Sequence, residues 1–139
     1  MSLKMPREER EAFLADLHVG VVSIGRQGKA PLTAPIWYDY EPGGKVWMIA
    51  GTDSLKATAL AETDDISLVA QTELPPYKYV SVSGSCEKRD VAEGELLAMA
   101  IRYLGGKEGQ GYADAAGDGG AFVVEFTPHS WLTVDYSKS

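Results

Sequence analysis

Disulfides are the first thing this 139-residue chain lacks, for it holds a single cysteine, Cys86. One cysteine closes no internal bridge, so a reduced, cytosolic setting is expected. A basic excess is missing too. Thirteen Lys and Arg stand against 20 Asp and Glu, for a formal net charge of −7. Binding a polyanion needs a basic stripe that neutralises phosphates. Neither nucleic acid nor an anionic membrane surface is therefore an expected partner. No apolar run approaches the roughly 20 residues of a membrane-spanning helix. The segment Met1–Glu11 is heavily charged and carries no apolar core of the signal-peptide type. Histidine is scarce. His18 and His129 lie far apart, with no Cys or His at ligand spacing, so neither a metal site nor a histidine-based hydrolase is expected. The chain contains no G-x-G-x-x-G, no G-x-x-x-x-G-K-[ST] and no G-x-S-x-G. No paired carboxylates stand out, and Glu8, Glu9 and Glu11 read as a solvated helix face. Cys86 reads as an inert buried thiol, with no local base to activate it. No residue is nominated as catalytic.

What is present suits one domain over residues 1–139. Area scaling gives about 22,000 Å² exposed in the unfolded chain and about 7,000 Å² in the folded one, enough for a core without staples. Pro6 to Leu17 predicts an amphipathic helix, with Pro6 in its first turn and Phe13, Leu14 and Leu17 on one stripe. Val19–Ile24 predicts a strand. Leu32–Tyr40 predicts another, with Ile36, Tyr38 and Tyr40 on one face and Pro35, Trp37 and Asp39 on the other. The turn Glu41-Pro42-Gly43-Gly44 then leads into a strand at Lys45–Gly51, so the pair reads as a hairpin. A short helix is expected at Leu55–Glu62, and strands at Asp65–Gln71 and Tyr77–Lys88. Val91–Leu104 predicts a helix with Leu96, Leu97, Ala100, Ile101 and Leu104 on one side. Gly105–Gly120 reads as loose, with at most one helical turn at Tyr112–Ala115. Strands at Ala121–Thr127 and Ser130–Asp135 end the series. The connections are too short for parallel crossovers, so a small antiparallel barrel capped by helices is expected.

Two groups of residues could carry chemistry. In Ala50-Gly51-Thr52-Asp53-Ser54-Leu55-Lys56 a strand ends, a turn follows and a helix begins. Lys56 falls in the first turn, the unfavourable end of the helix dipole for a cation. A bound anion would relieve that conflict and gain hydrogen bonds from Thr52 and Ser54. The plain reading is a surface lysine offset by Asp53. Trp37, Tyr38, Tyr40 and Trp47 lie on adjacent strands, where they either build core or form a flat-sided slot for a ring, with Pro35 marking an unpaired edge. Gln71, at a strand end, is either solvated or a donor to a ligand carbonyl. An anion site, an aromatic slot and no acid–base pair together suggest a cofactor that performs hydride transfer itself.

These segments also carry a resemblance. Leu32-Thr33-Ala34-Pro35-Ile36-Trp37-Tyr38, Val46–Ala50, Ser54-Leu55-Lys56-Ala57, Asp64-Asp65-Ile66-Ser67-Leu68 and Tyr79-Val80-Ser81-Val82-Ser83-Gly84 resemble, in order and spacing, the pyridoxamine 5′-phosphate oxidase-like family. That family comprises FMN- and F420-binding split β-barrels. The resemblance implies a mainly β fold, an antiparallel split β-barrel with helices. It implies a homodimer with cofactor sites at the interface and a small-molecule substrate. It implies that Pro35, Ile36 and Trp37 line the flavin or deazaflavin ring, near Ala50, Gly51 and Thr52. Ser54 and Lys56 match the phosphate-binding serine and lysine, and Gln71 and Trp131 reach the site from the partner chain. The implied cofactor is FMN, or alternatively coenzyme F420. The implied activity is a flavin-type oxidoreductase acting on a small conjugated or heteroaromatic compound. A non-enzymatic flavin or haem carrier or sensor is the alternative. Leu55 and Thr58 stand where many relatives carry arginine. The chain also lacks the longer C-terminal portion of pyridoxamine phosphate oxidases, so that specific activity is not expected.

Overall fold

A computed structural model describes residues 2–117 and 119–139. The elements run α1 (Arg7–Ala15), β1 (Gly20–Ile24), β2 (Leu32–Ile36), β3 (Tyr38–Tyr40), β4 (Val46–Gly51), α2 (Leu55–Leu60), β5 (Asp65–Gln71), β6 (Lys78–Asp90), α3 (Glu95–Leu104), α4 (Gly106–Ala116), β7 (Ala121–Phe126) and β8 (Ser130–Asp135). Pro6 stands just before α1, and its carbonyl accepts from the Arg10 N–H at 2.9 Å. The helix stops at Ala15 rather than Leu17 because Asp16 turns extended. Among the described residues no helix is long and apolar enough to cross a membrane.

Every strand pair is antiparallel. The path across the sheet is β2-β1-β5-β6-β7-β4-β3, with β8 also on β6. The two strands at the ends of that path, β2 and β3, are separated in the chain by Trp37 alone. The sheet therefore has to curl until its edges meet at that residue, which gives a split barrel. Here the structure corrects the expectation of one strand at Leu32–Tyr40. Leu32–Ile36 pairs with β1, and only Tyr38–Tyr40 forms the hairpin with β4. The alternation of side chains runs unbroken through the change of partner. Ile36, Tyr38 and Tyr40 are buried, while Pro35, Trp37 and Asp39 face outward.

The inward positions build one core. Val22, Ile24, Tyr38, Val46, Met48, Leu68, Val80, Val82 and Phe126 are all at most 1 % exposed, and Leu14 of α1 and Leu60 of α2 close the ends. Each such side chain stabilises the fold by about 1.5–3 kcal/mol relative to exposure.

β6 is the spine. Tyr79–Ser85 pairs with β5, while along the other edge Lys78–Ser83 pairs with β8 and Cys86–Asp90 with β7. On that edge β7 and β8 are nearly one strand. Cys86 faces Phe126 and Ser83 faces Ser130, so the β7–β8 corner spends one residue more than β6 does. That is a bulge. It moves the inward phase from Phe122, Val124 and Phe126 to Trp131, Thr133 and Asp135. Gly84 lies beneath it. A Cβ there would stand 2.5 Å from the Thr127 carbonyl oxygen and 3.1 Å from the Phe126 ring.

The other correction concerns Gly105–Gly120. Instead of a loose stretch it holds α4, an 11-residue helix packed on α3; Asp118 lies outside the described residues. Gly109 explains the helix. A Cβ on it would meet the Ile101 backbone N at 2.7 Å, so the glycine that weakens the helix locally lets the two backbones close up. The β6 strand runs on to Asp90, and α3 starts at Glu95 rather than Val91. The Glu95 carboxylate accepts from the Ala92 N–H at 2.6 Å and from Arg89 at 2.8 Å, tying the helix start to the sheet.

Two glycines with opposite surroundings test this packing. Gly84→Ala is expected to lower unfolding stability by about 1–3 kcal/mol, the scale of overpacking against backbone. Gly111→Ala, in open space within α4, is expected to raise it by about 0.5–1 kcal/mol. Urea midpoints at constant slope measure both.

Candidate functional site

The outward side chains of the barrel split define the site. Trp37 stands at the point where β2 gives way to β3, and the alternation that buries Tyr38 sends its indole outward. The four aromatics thus divide. Tyr38 (0 % exposed) and Tyr40 (3 %) belong to the core, and burial pushes the Tyr38 phenol well above its ordinary pKa. Trp37 and Trp47 are outward and half-buried.

The α3–α4 hairpin holds Trp37 in place. The Tyr103 ring stacks on it at 5.1 Å, with the planes 5° apart, and Tyr112 of α4 meets it at 5.3 Å, tilted by 51°. The Tyr103 hydroxyl accepts from the Tyr38 N–H at 3.0 Å. Its single proton goes to the His18 carbonyl at 2.6 Å, and the Tyr38 carbonyl lies 2.9 Å away. Arg102 donates from Nε to the Tyr38 carbonyl at 3.0 Å and pairs with Asp39 at 3.3 Å. The backbone polar groups of Tyr38 are thereby satisfied at the open edge of the sheet by two consecutive side chains of α3.

Between this hairpin and the barrel wall lies a slot of about 340 Å³. Pro35, Ile36, Trp37 and Ile49 form the barrel side, Leu96, Met99 and Tyr112 the helical side, and Val19 one lip. Its size falls in the usual range for small-molecule pockets, and its lining is apolar in the usual way. Three of the residues expected at a ring, Pro35, Ile36 and Trp37, are brought together here.

The other candidates are placed as follows. Ala50 is buried in the core and pairs with Phe122 of β7, so it presents no surface of its own to a ligand. Gly51, Thr52, Ser54 and Lys56 gather at the end of β4 and the start of α2. Ser54 is the N-cap. Its hydroxyl donates to the Gly51 carbonyl at 2.7 Å and accepts from the Ala57 N–H at 3.2 Å, so its proton is committed. Lys56 enters none of the ion pairs among the described residues. Thr52 is exposed, with its N–H given to the Gly120 carbonyl at 3.0 Å. Gln71 is exposed at the end of β5, two residues past the Val21–Val69 pair. Trp131 points inward, beneath the Arg10 guanidinium at 4.4 Å and edge-on to Tyr40, and does not line the slot of its own chain.

A wider concavity of about 750 Å³ lies elsewhere on the outer sheet face and includes none of these candidates. Paired register lines up Ser23, Ser67, Ser83 and Ser130 across four strands there. Tyr103 and Tyr112 were not among the sequence candidates. Nothing local in the sequence marks them, since their role follows from α4 folding back on α3 and from α3 crossing the β2–β3 junction.

No family model matches the chain, and no curated protein matches it in sequence. Solved structures do match in fold. A conserved hypothetical protein from Mycobacterium tuberculosis superposes with a TM-score of 0.80 at 19% identity, over 98% of this chain and 88% of that one. A provisionally assigned pyridoxamine 5′-phosphate oxidase from Listeria innocua gives 0.70 at 12% identity, over 91% and 96%. An F420 reductase gives 0.70 at 16% identity, over 88% and 94%. The fold is thus the split β-barrel of the pyridoxamine 5′-phosphate oxidase-like proteins.

The clamp on Tyr38 is open to a direct test. Tyr103→Phe keeps the ring stack and removes the hydroxyl, leaving the His18 carbonyl and Tyr38 N–H without that partner. A loss of about 1–3 kcal/mol in stability is expected, read as a lowered urea midpoint with unchanged far-ultraviolet dichroism.

Proposed function

We propose that this chain binds a flavin-type cofactor, FMN or coenzyme F420, and acts as an oxidoreductase on a small conjugated or heteroaromatic compound. The observation that carries this reading is the apolar slot formed by Pro35, Ile36 and Trp37, on the face of a split barrel whose solved neighbours include an F420 reductase. The residues fit such a group in two respects. The slot offers flat apolar walls to a ring. The α2 start offers the Lys56 ammonium, which has no ion-pair partner among the described residues, and the exposed Thr52 hydroxyl to a phosphate. Ser54 contributes by capping α2 and so fixing the backbone on which Lys56 stands. Such a cofactor supplies hydride transfer when bound, and the protein supplies binding, orientation and exclusion of water.

The same reading includes a homodimer. The slot is open along Val19, Pro35 and Tyr112, and Val19 and Tyr112 are 54% and 46% exposed. A second copy would supply the missing wall, and Gln71 and Trp131 are the residues proposed to approach the partner's cofactor.

Two measurements test the reading. Titration of the protein with FMN and with F420, followed by absorption, is expected to show saturable spectral shifts for one of them. Lys56→Ala is expected to weaken that binding by about 1.5–3 kcal/mol, the scale of a charged hydrogen bond; unchanged affinity would remove Lys56 from the phosphate. Sedimentation equilibrium is expected to give a dimer. A monomer that still binds the cofactor tightly would contradict the shared site.

A further inference from the structure

The two helices beside the slot are anchored very unequally. α3 is tied to the barrel along its length. Glu95 pairs with Arg89 at 2.8 Å, and Arg102 reaches the Tyr38 carbonyl at 3.0 Å and the Asp39 carboxylate at 3.3 Å. Met99 and Ala100 are buried between these ties. α4 has nothing comparable. Among the described residues its one side-chain hydrogen bond stays within the helix, from Gln110 to Asp114 at 2.9 Å, and it enters no ion pair. Gly109 is buried and Ala113 half-buried, while the rest of α4 is exposed.

A helix this short is marginal unless packing holds it, and Gly106, Gly109 and Gly111 weaken it further. Two contacts do the holding. Gly109 seats on the Ile101 backbone, and the Tyr112 ring leans on Trp37 at 5.3 Å. The helix also begins and ends beside glycines in the left-handed region, Gly105 at φ 83° and Gly117 at φ 67°, where the chain turns without a Cβ in the way. Segments with so few buried contacts open at free energies well below that of global unfolding. The slot lies under this unequal pair. Leu96 and Met99 of its helical wall belong to the fixed helix, and Tyr112 belongs to the loose one. Lifting α4 withdraws Tyr112 from Trp37 and leaves Tyr103, on α3, stacked where it is.

We propose that α4 is a lid: it swings off α3 about Gly105 and Gly117 to admit a ring to the slot, and Tyr112 then closes against the guest. The identity of the guest rests on the reading of the slot as the ring site; the motion does not. A lid has a kinetic signature. Favouring the closed form slows entry and exit by one factor and leaves affinity unchanged, because the empty and occupied forms are both closed.

Three measurements test this. In the free chain, followed by hydrogen exchange and mass spectrometry, α4 amides are expected to exchange about tenfold faster than those of α3. Gly111→Ala, in open space, is expected to slow α4 about two- to fivefold and leave α3 unchanged. Access to the slot is read separately by placing a thiol on its fixed wall. Met99→Cys is expected to react with N-ethylmaleimide at a rate that Gly111→Ala lowers by the factor seen in exchange, against the background of buried Cys86. Leu96→Cys serves on the same wall should Met99→Cys fail to fold. With FMN or F420, stopped-flow absorption is expected to show Gly111→Ala lowering the on- and off-rates equally at constant Kd. α4 exchange as slow as that of α3 overturns the lid, as does a thiol rate unmoved by Gly111→Ala or a change in Kd. Failure of both cofactors to bind sinks the flavin reading, and the lid then stands or falls on exchange and thiol access.

Discussion

The backbone of Tyr38 is held at both of its polar ends by side chains of α3, and the curled sheet depends on that hold. A sheet whose first and last strands are joined by one residue has an unavoidable seam. At the seam the ladder stops on one side, and backbone N–H and C=O groups lose their strand partners. Leaving them buried and unpaired would be costly. Tyr103 and Arg102 supply the partners, and both also reach back to the segment after α1. One helix therefore closes the seam, ties down the N-terminal helix and presents the Trp37 ring. The position of the apolar slot is a by-product of how the barrel is closed.

The strict alternation through β2 and β3 gives the same stretch two duties. Tyr38 and Tyr40 are core side chains that cannot be traded away, while Pro35 and Trp37 between and beside them face a cavity. Function at this site can change through the outward residues and the α3–α4 hairpin without touching the packing beneath. The group of residues at the start of α2 that is proposed to hold a phosphate is separate again. It is fixed by the Ser54 cap and not by the seam.

Much of this was legible in the sequence. β5 and β8 fall where their apolar patterns place them, and the faces of the Leu32–Tyr40 stretch are as the alternation dictates. The break at Trp37 was not legible, because alternation is blind to a change of partner: the pattern in a strand is the same whichever neighbour it pairs with. α4 was hidden for a different reason. Seven glycines from 105 to 120 lie among residues of weak hydrophobicity, and local propensity argues against a helix there. Its stability comes from the approach of Gly109 to Ile101, a contact between residues whose spatial relation only the fold reveals. Tyr112, which forms part of the slot's helical wall, was lost to the same cause. Lys56 was legible as a cation in an awkward place. The commitment of the Ser54 hydroxyl to its own helix was legible only as the general habit of caps.

The bulge above Gly84 bears on how this chain can diverge. Between Phe126 and Ser130 the chain length sets a parity. Shortening the corner by one residue would turn Trp131, Thr133 and Asp135 to the solvent and bring Leu132 and Val134 inside. Thr133 would then lose the bond it accepts from the Met5 N–H, and Asp135 its pairing with Lys78. Single-residue insertions and deletions at this corner are thus frame-shifts in three dimensions. Relatives that keep the barrel should vary there by two residues or not at all, even where every side chain in the corner has been replaced.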